Sequence, residues 1–174
     1  TYRMTKCREM SKEDIEQKIE DFAGAGAMAR DAGFDAVEIH AGHGYLLSQF
    51  ITPWTNHRKD DYGGSLENRM RFPVAVVRRL RDRLGEGFPI LVKMNQFDGF
   101  SEGIVLDEAT EVAKAFEQAG ATAVIPSCGF TSRTPFAMLR GRVPIKEMAA
   151  FRENAMVRLG LKLFGKLLVR YIPY

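Results

Sequence analysis

The sequence predicts an α/β fold in which parallel strands are joined by helical crossovers. Segments of helical and strand character alternate in the order helix, strand, helix, strand, helix, strand, which is typical of parallel sheets. The segment "ARDAGFDAVEI" at 29–39 resembles "FEQAGATAVIP" at 116–126, so a unit of helix end and strand recurs along the chain. No glycine-rich GxGxxG turn follows a predicted strand, which favours a (β/α) barrel over a doubly wound sheet.

The first helix is predicted to begin after Ser11, which can cap it, and to end near Gly33. The first strand is predicted at 35–40, "DAVEIH", because apolar and β-branched residues lie there between two glycines. A long connection then extends from Ala41 to about Gly64. Loops of this length are uncommon in compact domains unless they carry function, so we expect the functional residues here.

The second helix is predicted from Ser65, its cap, to Gly85. Pro73 lies inside this pattern, so we expect a bend or a break between two helical pieces near Arg71. Arg69 is expected to pair with an acidic neighbour. The remaining elements are a strand, an amphipathic helix and a third strand, predicted at 88–95, 106–120 and 121–127.

The charge distribution argues against nucleic acid as a partner. The net charge is +3, but the last 24 residues carry +4 and leave the remainder at −1, which is not the basic face that phosphate binding requires. Near the end of the chain, basic residues recur at every fourth position, at Arg158, Lys162, Lys166 and Arg170. Such a helix can bind a membrane surface, but a barrel helix with a solvated basic edge is favoured.

The composition predicts one domain over residues 1–174. Hydrophobic residues make up 45% and charged residues 27% of the chain, as in ordinary soluble proteins, and no apolar run approaches the ~20 residues that span a bilayer. Cys7 and Cys128 lie far apart without a CxxC motif, which argues against disulfides and cysteine metal sites and predicts a cytoplasmic location. Cys128 is expected to be a small buried residue.

Polar residues with catalytic potential follow the first strand in "EIHAGHGYLL". His40 ends the strand, and His43 and Tyr45 lie in the turn beyond it. They can form a catalytic group, they can ligate zinc together with His57, or the histidines can simply cap the strand end. The zinc interpretation is disfavoured because an HxxH pattern alone is a weak signal. Lys93 ends the second strand among apolar neighbours, where its charge needs a partner unless the side chain extends to solvent.

The segment "GFDAVEIHAGHGYLLSQFITPWTNHRKDDYGGSLENRMRF" closely resembles the central signature of the Old Yellow Enzyme family of FMN-dependent ene-reductases and NADH:flavin oxidoreductases. The likeness extends from about Ser11 through "SCGF" and "LKLFGKLL". It implies a (β/α)8 TIM barrel with FMN at the carboxyl ends of the strands. The chain is then expected to be the middle segment of the FMN-binding domain, about strands 4 to 6 with their helices.

The resemblance also implies roles for individual residues. His40 and His43 match the pair that binds the substrate's carbonyl oxygen, and Tyr45 matches the tyrosine that delivers a proton. Hydride addition to an enone places negative charge on this oxygen, which two fixed donors stabilise. Many relatives carry asparagine at the position of His43, so the chain is assigned to the His-His subgroup. Lys93 matches a position, usually arginine, whose charge faces the flavin pyrimidine ring, and as a lysine it would act as a point charge.

The expected function is therefore an NAD(P)H-dependent and FMN-dependent oxidoreductase of the ene-reductase type, which reduces an activated alkene such as an α,β-unsaturated carbonyl compound. The alternative is an incomplete or degenerate barrel fragment that by itself binds no flavin. The expected partner is a small-molecule substrate, with neither nucleic acid nor membrane. Open sheet edges also allow pairing with another chain, including a second copy.

Overall fold

The structure, a computed structural model, describes residues 8–134, 137, 149–151 and 154–170. In chain order its elements are α1 (Lys12–Asp31), β1 (Val37–Ala41), α2 (Leu46–Ile51), α3 (Leu66–Leu84), β2 (Ile90–Phe97), α4 (Leu106–Gln118), β3 (Ala123–Cys128) and α5 (Ala155–Arg170). The predicted alternation of helices and strands is confirmed, with strand boundaries moved by one or two residues.

The three strands form one parallel sheet in the order β1-β2-β3. His40 on β1 is in register with Lys93 on β2, and Lys93 is in register with Ile125 on β3. Side chains in register across parallel strands point to the same face, and successive residues of a strand point to opposite faces. His40, Lys93 and Ile125 therefore share one face, called here the inner face.

Helices α1 to α4 pack against the other face of the sheet. Ile39, Ala41, Val92 and Met94 are buried there, in a single apolar core with side chains of α1, α2, α3 and α4. On the inner face, the polar side chains of Glu38, His40 and Lys93 remain partly exposed. Helices on one face are typical of a barrel, because a doubly wound sheet is covered on both faces. The barrel interpretation is therefore favoured by the packing of the described residues.

Local capping signals place the helices as predicted. The Ser11 hydroxyl accepts a hydrogen bond from the backbone N–H of Asp14 at 3.1 Å, and the Asp14 carboxylate accepts one from the N–H of Ser11 at 2.8 Å. This reciprocal capping box satisfies two of the free donors at the start of α1. Ser65 caps α3 through a single bond of this kind, in which its hydroxyl accepts from the N–H of Asn68 at 3.3 Å.

The predicted break near Arg71 is wrong, because α3 is one helix that continues through Pro73. An interior proline costs a helix about 3 kcal/mol. Fully buried side chains lie on both sides of it, namely Phe72, Val76, Val77 and Leu80. Each contributes roughly 1.5–3 kcal/mol by burial, so the packing of α3 outweighs the cost of the proline.

Two buried arginines fasten α3 to its surroundings. Arg69, 4% exposed, pairs with Glu108 on α4 at 2.6 Å and donates to the backbone carbonyl of Ile51, which confirms the expected acidic partner. Arg81 lies near the other end of α3 and is 9% exposed. Its guanidinium donates to backbone carbonyls of the segments before β2 and β3, at Gly85, Glu86, Phe88 and Gly120.

The predicted helical character near the end of the chain is confirmed by α5. Met156, Leu159, Leu163 and Phe164 are exposed apolar side chains on it, and Arg158 is exposed as well. The side chains of Lys162, Lys166 and Arg170, which complete the predicted basic face, lie outside the described part, as does Cys7. Over the ranges given above, no helix is long and apolar enough to cross a membrane.

Candidate active site

Three predicted site residues, His40, His43 and Tyr45, meet at the carboxyl end of β1. Lys93, which was predicted to end the second strand, lies in the middle of β2, which continues to Phe97. The ring of His40 lies 4.9 Å from that of His43 and 5.0 Å from that of Tyr45, measured between centroids. Lys93 stands in register with His40 on the neighbouring strand. The structure thus brings two imidazoles, a phenol and an ammonium group to one end of the inner face.

The turn after β1 holds His43 in a left-handed backbone conformation, with φ of 60°, which is uncommon for a residue with a side chain. The loop after β3 supports it, because the N–H and the hydroxyl of Thr131 both donate to the carbonyl of His43. Asn95 on β2 accepts a hydrogen bond from the His43 N–H at 3.1 Å. Asn95 of β2 and Thr131 of the loop after β3 therefore fix the backbone of this turn.

The glycines on either side of His43 are required by close approach. A Cβ on Gly44, whose φ is 81°, would overlap the ring of Phe130. A Cβ on Gly42 would lie 2.8 Å from Oδ1 of Asn95, inside the distance at which carbon and oxygen repel. The sequence Gly-His-Gly is thus explained by the passage of the turn between β2 and the loop after β3.

Tyr45 is the N-cap residue of α2, and its side chain makes no capping hydrogen bond. Two other residues of that helix hold the turn. The Ser48 hydroxyl accepts from the N–H of Gly44 at 3.1 Å, and the Gln49 side-chain amide donates to the carbonyl of Gly44 at 2.7 Å. The Tyr45 side chain itself remains 54% exposed. A firmly held helix end therefore presents an accessible phenol.

The charge of Lys93 is matched by a carboxylate that the sequence analysis missed. Lys93 Nζ lies 2.6 Å from Oε1 of Glu38. Glu38 precedes His40 by two residues on β1, so both side chains point to the inner face. The spacing Glu-x-His could have signalled this, but only together with the register between β1 and β2.

Both histidines are shifted toward the neutral form. Burial lowers the pKa of His40, and the positive charge of Lys93 lowers it further, while Glu38 opposes these effects. Burial also lowers the pKa of His43, with further contributions from His40 and Lys93. The neutral form of each imidazole, with one N–H donor and one acceptor nitrogen, therefore predominates at pH 7.

These shifts predict that acid weakens the fold. Because the folded-state pKa values of His40 and His43 lie below that of an unfolded histidine, ~6.5, the unfolded chain binds more protons at mildly acidic pH. The free energy of unfolding should thus decrease as pH falls from about 7 to about 5.5. Denaturant titrations across this range should show the decrease in the native chain and a smaller one in a His40→Gln, His43→Gln double variant. An equal decrease in both would contradict the expectation.

A metal site is not evident at these histidines. His57 is exposed in the loop after α2, where it lines an open cleft with Arg8, Gln49 and Arg58. Within the part of the chain that the structure describes, no three His, Cys, Asp or Glu side chains are arranged to hold a metal ion. The zinc hypothesis required His57 to lie beside His40 and His43, and these three described residues do not form such a group.

Cys128, which was expected to be buried, is only half-buried at the end of β3, and its thiol donates to the carbonyl of Ala137.

Aromatic side chains that follow the three strands, together with one arginine, form what is called here the rim cluster, made of Trp54, Phe100, Phe130 and Arg133. Its ring pairs lie 5.2 to 5.9 Å apart, and the Arg133 guanidinium lies 4.2 Å from the Phe100 centroid. The rim cluster thus joins the three loops.

A sequence model of the NADH:flavin oxidoreductase / NADH oxidase family matches residues 2–129. The chain belongs to this family. Old yellow enzyme homologues are among the relatives, so the predicted membership of the Old Yellow Enzyme family is confirmed. The cofactors of this family are FMN and NAD(P)H, as predicted. Assignment to the His-His subgroup stays a prediction.

Known members of the Old Yellow Enzyme family resemble this chain over much of its length. NADH oxidase of Thermoanaerobacter brockii is 40% identical over 131 residues, which cover 75% of this chain and 20% of that protein. Cinnamate reductase of Clostridium sporogenes is 48% identical over 88 residues, 50% of this chain and 13% of that protein. The structure of the old yellow enzyme homologue from Zymomonas mobilis superimposes with a TM-score of 0.63 and 29% identity, covering 70% of this chain and 35% of that one.

These similarities confirm the predicted partial (β/α)8 TIM barrel, because the structural relatives are TIM-barrel enzymes of the Old Yellow Enzyme family. The named relatives are oxidoreductases, as expected. The chain spans less than half the length of the curated relatives that it matches, from 20% to 44% of the first three.

Proposed function

We propose that this chain supplies the substrate-binding and proton-donating side chains of an FMN-dependent NAD(P)H oxidoreductase that reduces activated alkenes. The observation that carries the proposal is the convergence of His40, His43 and Tyr45 at the carboxyl end of the sheet, the end at which barrel enzymes place their active sites. The name of one relative, cinnamate reductase, supports an α,β-unsaturated substrate.

The two histidines suit the binding of a carbonyl oxygen. Addition of hydride to the β-carbon of an enone moves negative charge onto that oxygen, and fixed N–H donors stabilise the charge as it develops. Neutral imidazoles can donate in this manner, and burial together with Lys93 keeps the pKa of His40 and His43 lowered. Because strand and turn hold both rings in place, little reorganisation is needed during the reaction.

Tyr45 suits the delivery of a proton to the α-carbon. Its phenol is exposed on the same edge as His40 and is not used to cap α2. A protonated phenol at neutral pH can donate a proton to the carbon that becomes electron-rich after hydride addition. The arrangement therefore offers a binding site for the oxygen and a proton source beside it.

The inner face also suits a flavin. Bound FMN would supply hydride to the β-carbon of the substrate. Lys93 would hold the flavin with its positive charge, and the half-exposed Lys93–Glu38 pair keeps this part of the face polar and open. Since Glu38 balances the ammonium group, the charge available to an anionic reduced flavin is smaller than that of an unpaired lysine.

The test is to load the protein with FMN and to measure oxidation of NADH and NADPH with 2-cyclohexenone or with cyclohexanone. We expect oxidation dependent on the alkene and formation of the saturated ketone. His40→Ala should lower this rate about 100-fold through loss of one donor, whereas His57→Ala, exposed and outside the site, should not change it. A flavin-loaded protein that oxidises NAD(P)H equally with both compounds would overturn the proposal.

The second candidate is that this chain, as an isolated polypeptide, binds no flavin. The observation that favours it is the three-stranded sheet, since one edge each of β1 and β3 has no partner strand among the described residues. Such edges favour pairing with another chain. A folded chain that lacks flavin absorbance and does not quench the fluorescence of added FMN would support this candidate.

A further inference from the structure

Two residues on neighbouring strands hold His43 from different sides. Asn95 on β2 and Ser127 on β3 are partners in the parallel register, and His43 comes from the turn after β1. Asn95 Oδ1 accepts the backbone N–H of His43 at 3.1 Å, while Ser127 Oγ lies 2.7 Å from Nε2 of the imidazole. One residue thus fixes the backbone of His43 and the other contacts its ring.

The orientation of Asn95 is determined by its own partners. Its side chain is 5% exposed, and Nδ2 donates to Oδ1 of Asp98 and to the carbonyl of Gly129, both at 2.7 Å. Asp98 is fully buried and also accepts the N–H of Ile104 at 2.9 Å. Both amide hydrogens are therefore used, and Oδ1 must face His43. A flipped amide would place Nδ2–H opposite the N–H of His43 and Oδ1 opposite two acceptor oxygens.

The contact with Ser127 restricts what the His43 ring can offer. A neutral imidazole carries one proton, on Nδ1 or on Nε2. If Nε2–H donates to Ser127, Nδ1 is left as an acceptor only. If the hydroxyl of Ser127 donates to Nε2, the proton resides on Nδ1, which has no hydrogen-bond partner in the described part of the chain and is then a free donor.

We propose that Ser127 and Asn95 are positioning residues for His43, and that the Ser127 hydroxyl donates to Nε2 and keeps the ring proton on Nδ1. Nδ1–H is then the group that binds the substrate oxygen. The inference rests on the proposed function, because that function requires a donor from His43 and Nε2 is already occupied. Asn95 keeps the turn in the left-handed conformation that brings the ring to Ser127.

The experiment is an NMR measurement of the ring nitrogens in the ¹⁵N-histidine-labelled 174-residue chain, without flavin or substrate, at pH above 7.5. We expect His43 to carry its proton on Nδ1. Ser127→Ala should give a mixture of tautomers, and Ser127→Thr, which retains a hydroxyl, should restore the native form. Ser101→Ala, which removes a loop hydroxyl bonded to Glu102, is the matched control and should leave His43 unchanged. A proton on Nε2 of native His43, or an unchanged tautomer in Ser127→Ala, would overturn the proposal.

A kinetic arm separates this proposal from the proposed function. In the flavin-loaded protein, Ser127→Ala should slow alkene reduction about 10-fold, since one of two oxyanion donors is weakened rather than removed, with reduction of the flavin by NAD(P)H unchanged. An unaltered rate despite an altered tautomer would overturn the role of Nδ1–H. If the native protein reduces no alkene, the proposed function fails, and the tautomer measurement still decides whether Ser127 sets the ring proton.

Discussion

Replacing Tyr45 with phenylalanine is expected to slow alkene reduction roughly 10²- to 10⁴-fold, the usual contribution of a positioned proton donor. The hydroxyl makes no capping bond to α2 and the side chain is largely exposed, so its removal should not disturb the fold. Reduction of the flavin by NAD(P)H requires no proton from this phenol and should keep its rate. Rapid-mixing measurements of the two half-reactions in the FMN-loaded protein would separate these effects.

The matched control for this substitution is Tyr62→Phe. Tyr62 lies in the loop between α2 and α3, where the centroid of its ring is 5.9 Å from the guanidinium carbon of Arg58. This substitution also removes one phenol hydroxyl, but outside the site, so both half-reactions should retain their native rates. A Tyr45→Phe protein that reduced the alkene at the native rate would remove Tyr45 from the mechanism and would require a different proton source.

Replacing Arg81 with methionine is expected to lower the free energy of unfolding by roughly 3 to 4 kcal/mol, which is large for a single substitution. The guanidinium binds four backbone carbonyls and the hydroxyl of Thr122. Hydrogen bonds to charged groups contribute about 1.5–3 kcal/mol, and buried acceptors left without donors cost about 1–3 kcal/mol each. Partial access of water to these carbonyls keeps the total below the sum. Denaturant titration at pH 7 measures the loss.

Two further variants show whether the shape of the Arg81 side chain is responsible. Arg81→Lys retains the charge but not the planar fork, so it should recover only part of the stability. Arg79→Met removes an arginine two residues away that is half exposed and pairs with Glu20 on the surface, and it should cost no more than about 1 kcal/mol. Equal losses in the Arg79 and Arg81 variants would contradict the assigned role of Arg81.

The elements of this fold were predictable because their signals are local. Ser11 and Ser65 cap their helices through bonds to residues three positions on, and such spacing is visible in a sequence. Pro73 shows where the local argument fails, because the penalty is local but the stabilising burial of α3 comes from contacts with other helices. Arg81 was missed for the same reason, as its acceptors near β3 lie about 40 residues further along the chain.

The candidate site was predictable only in part. His40 and Lys93 were predicted at the ends of two strands and His43 just beyond the first, and parallel strands bring their carboxyl ends together, so their proximity could be anticipated. The pairing of Glu38 with Lys93 and the contacts of Asn95 and Ser127 with His43 depend on the register between strands. Register is set by the packing of whole strands, and a single sequence carries little information about it.

The rim cluster has a consequence for the exchange of loops between this chain and its relatives. Trp54, Phe100 and Phe130 come from three successive loops, and the Phe130 ring also lies against the turn that carries His43. A loop transplanted alone from a relative would lose its aromatic partners and displace the turn that carries His43. We therefore expect the fold to accept replacement of all three loops together, or substitutions confined to side chains outside the aromatic contact.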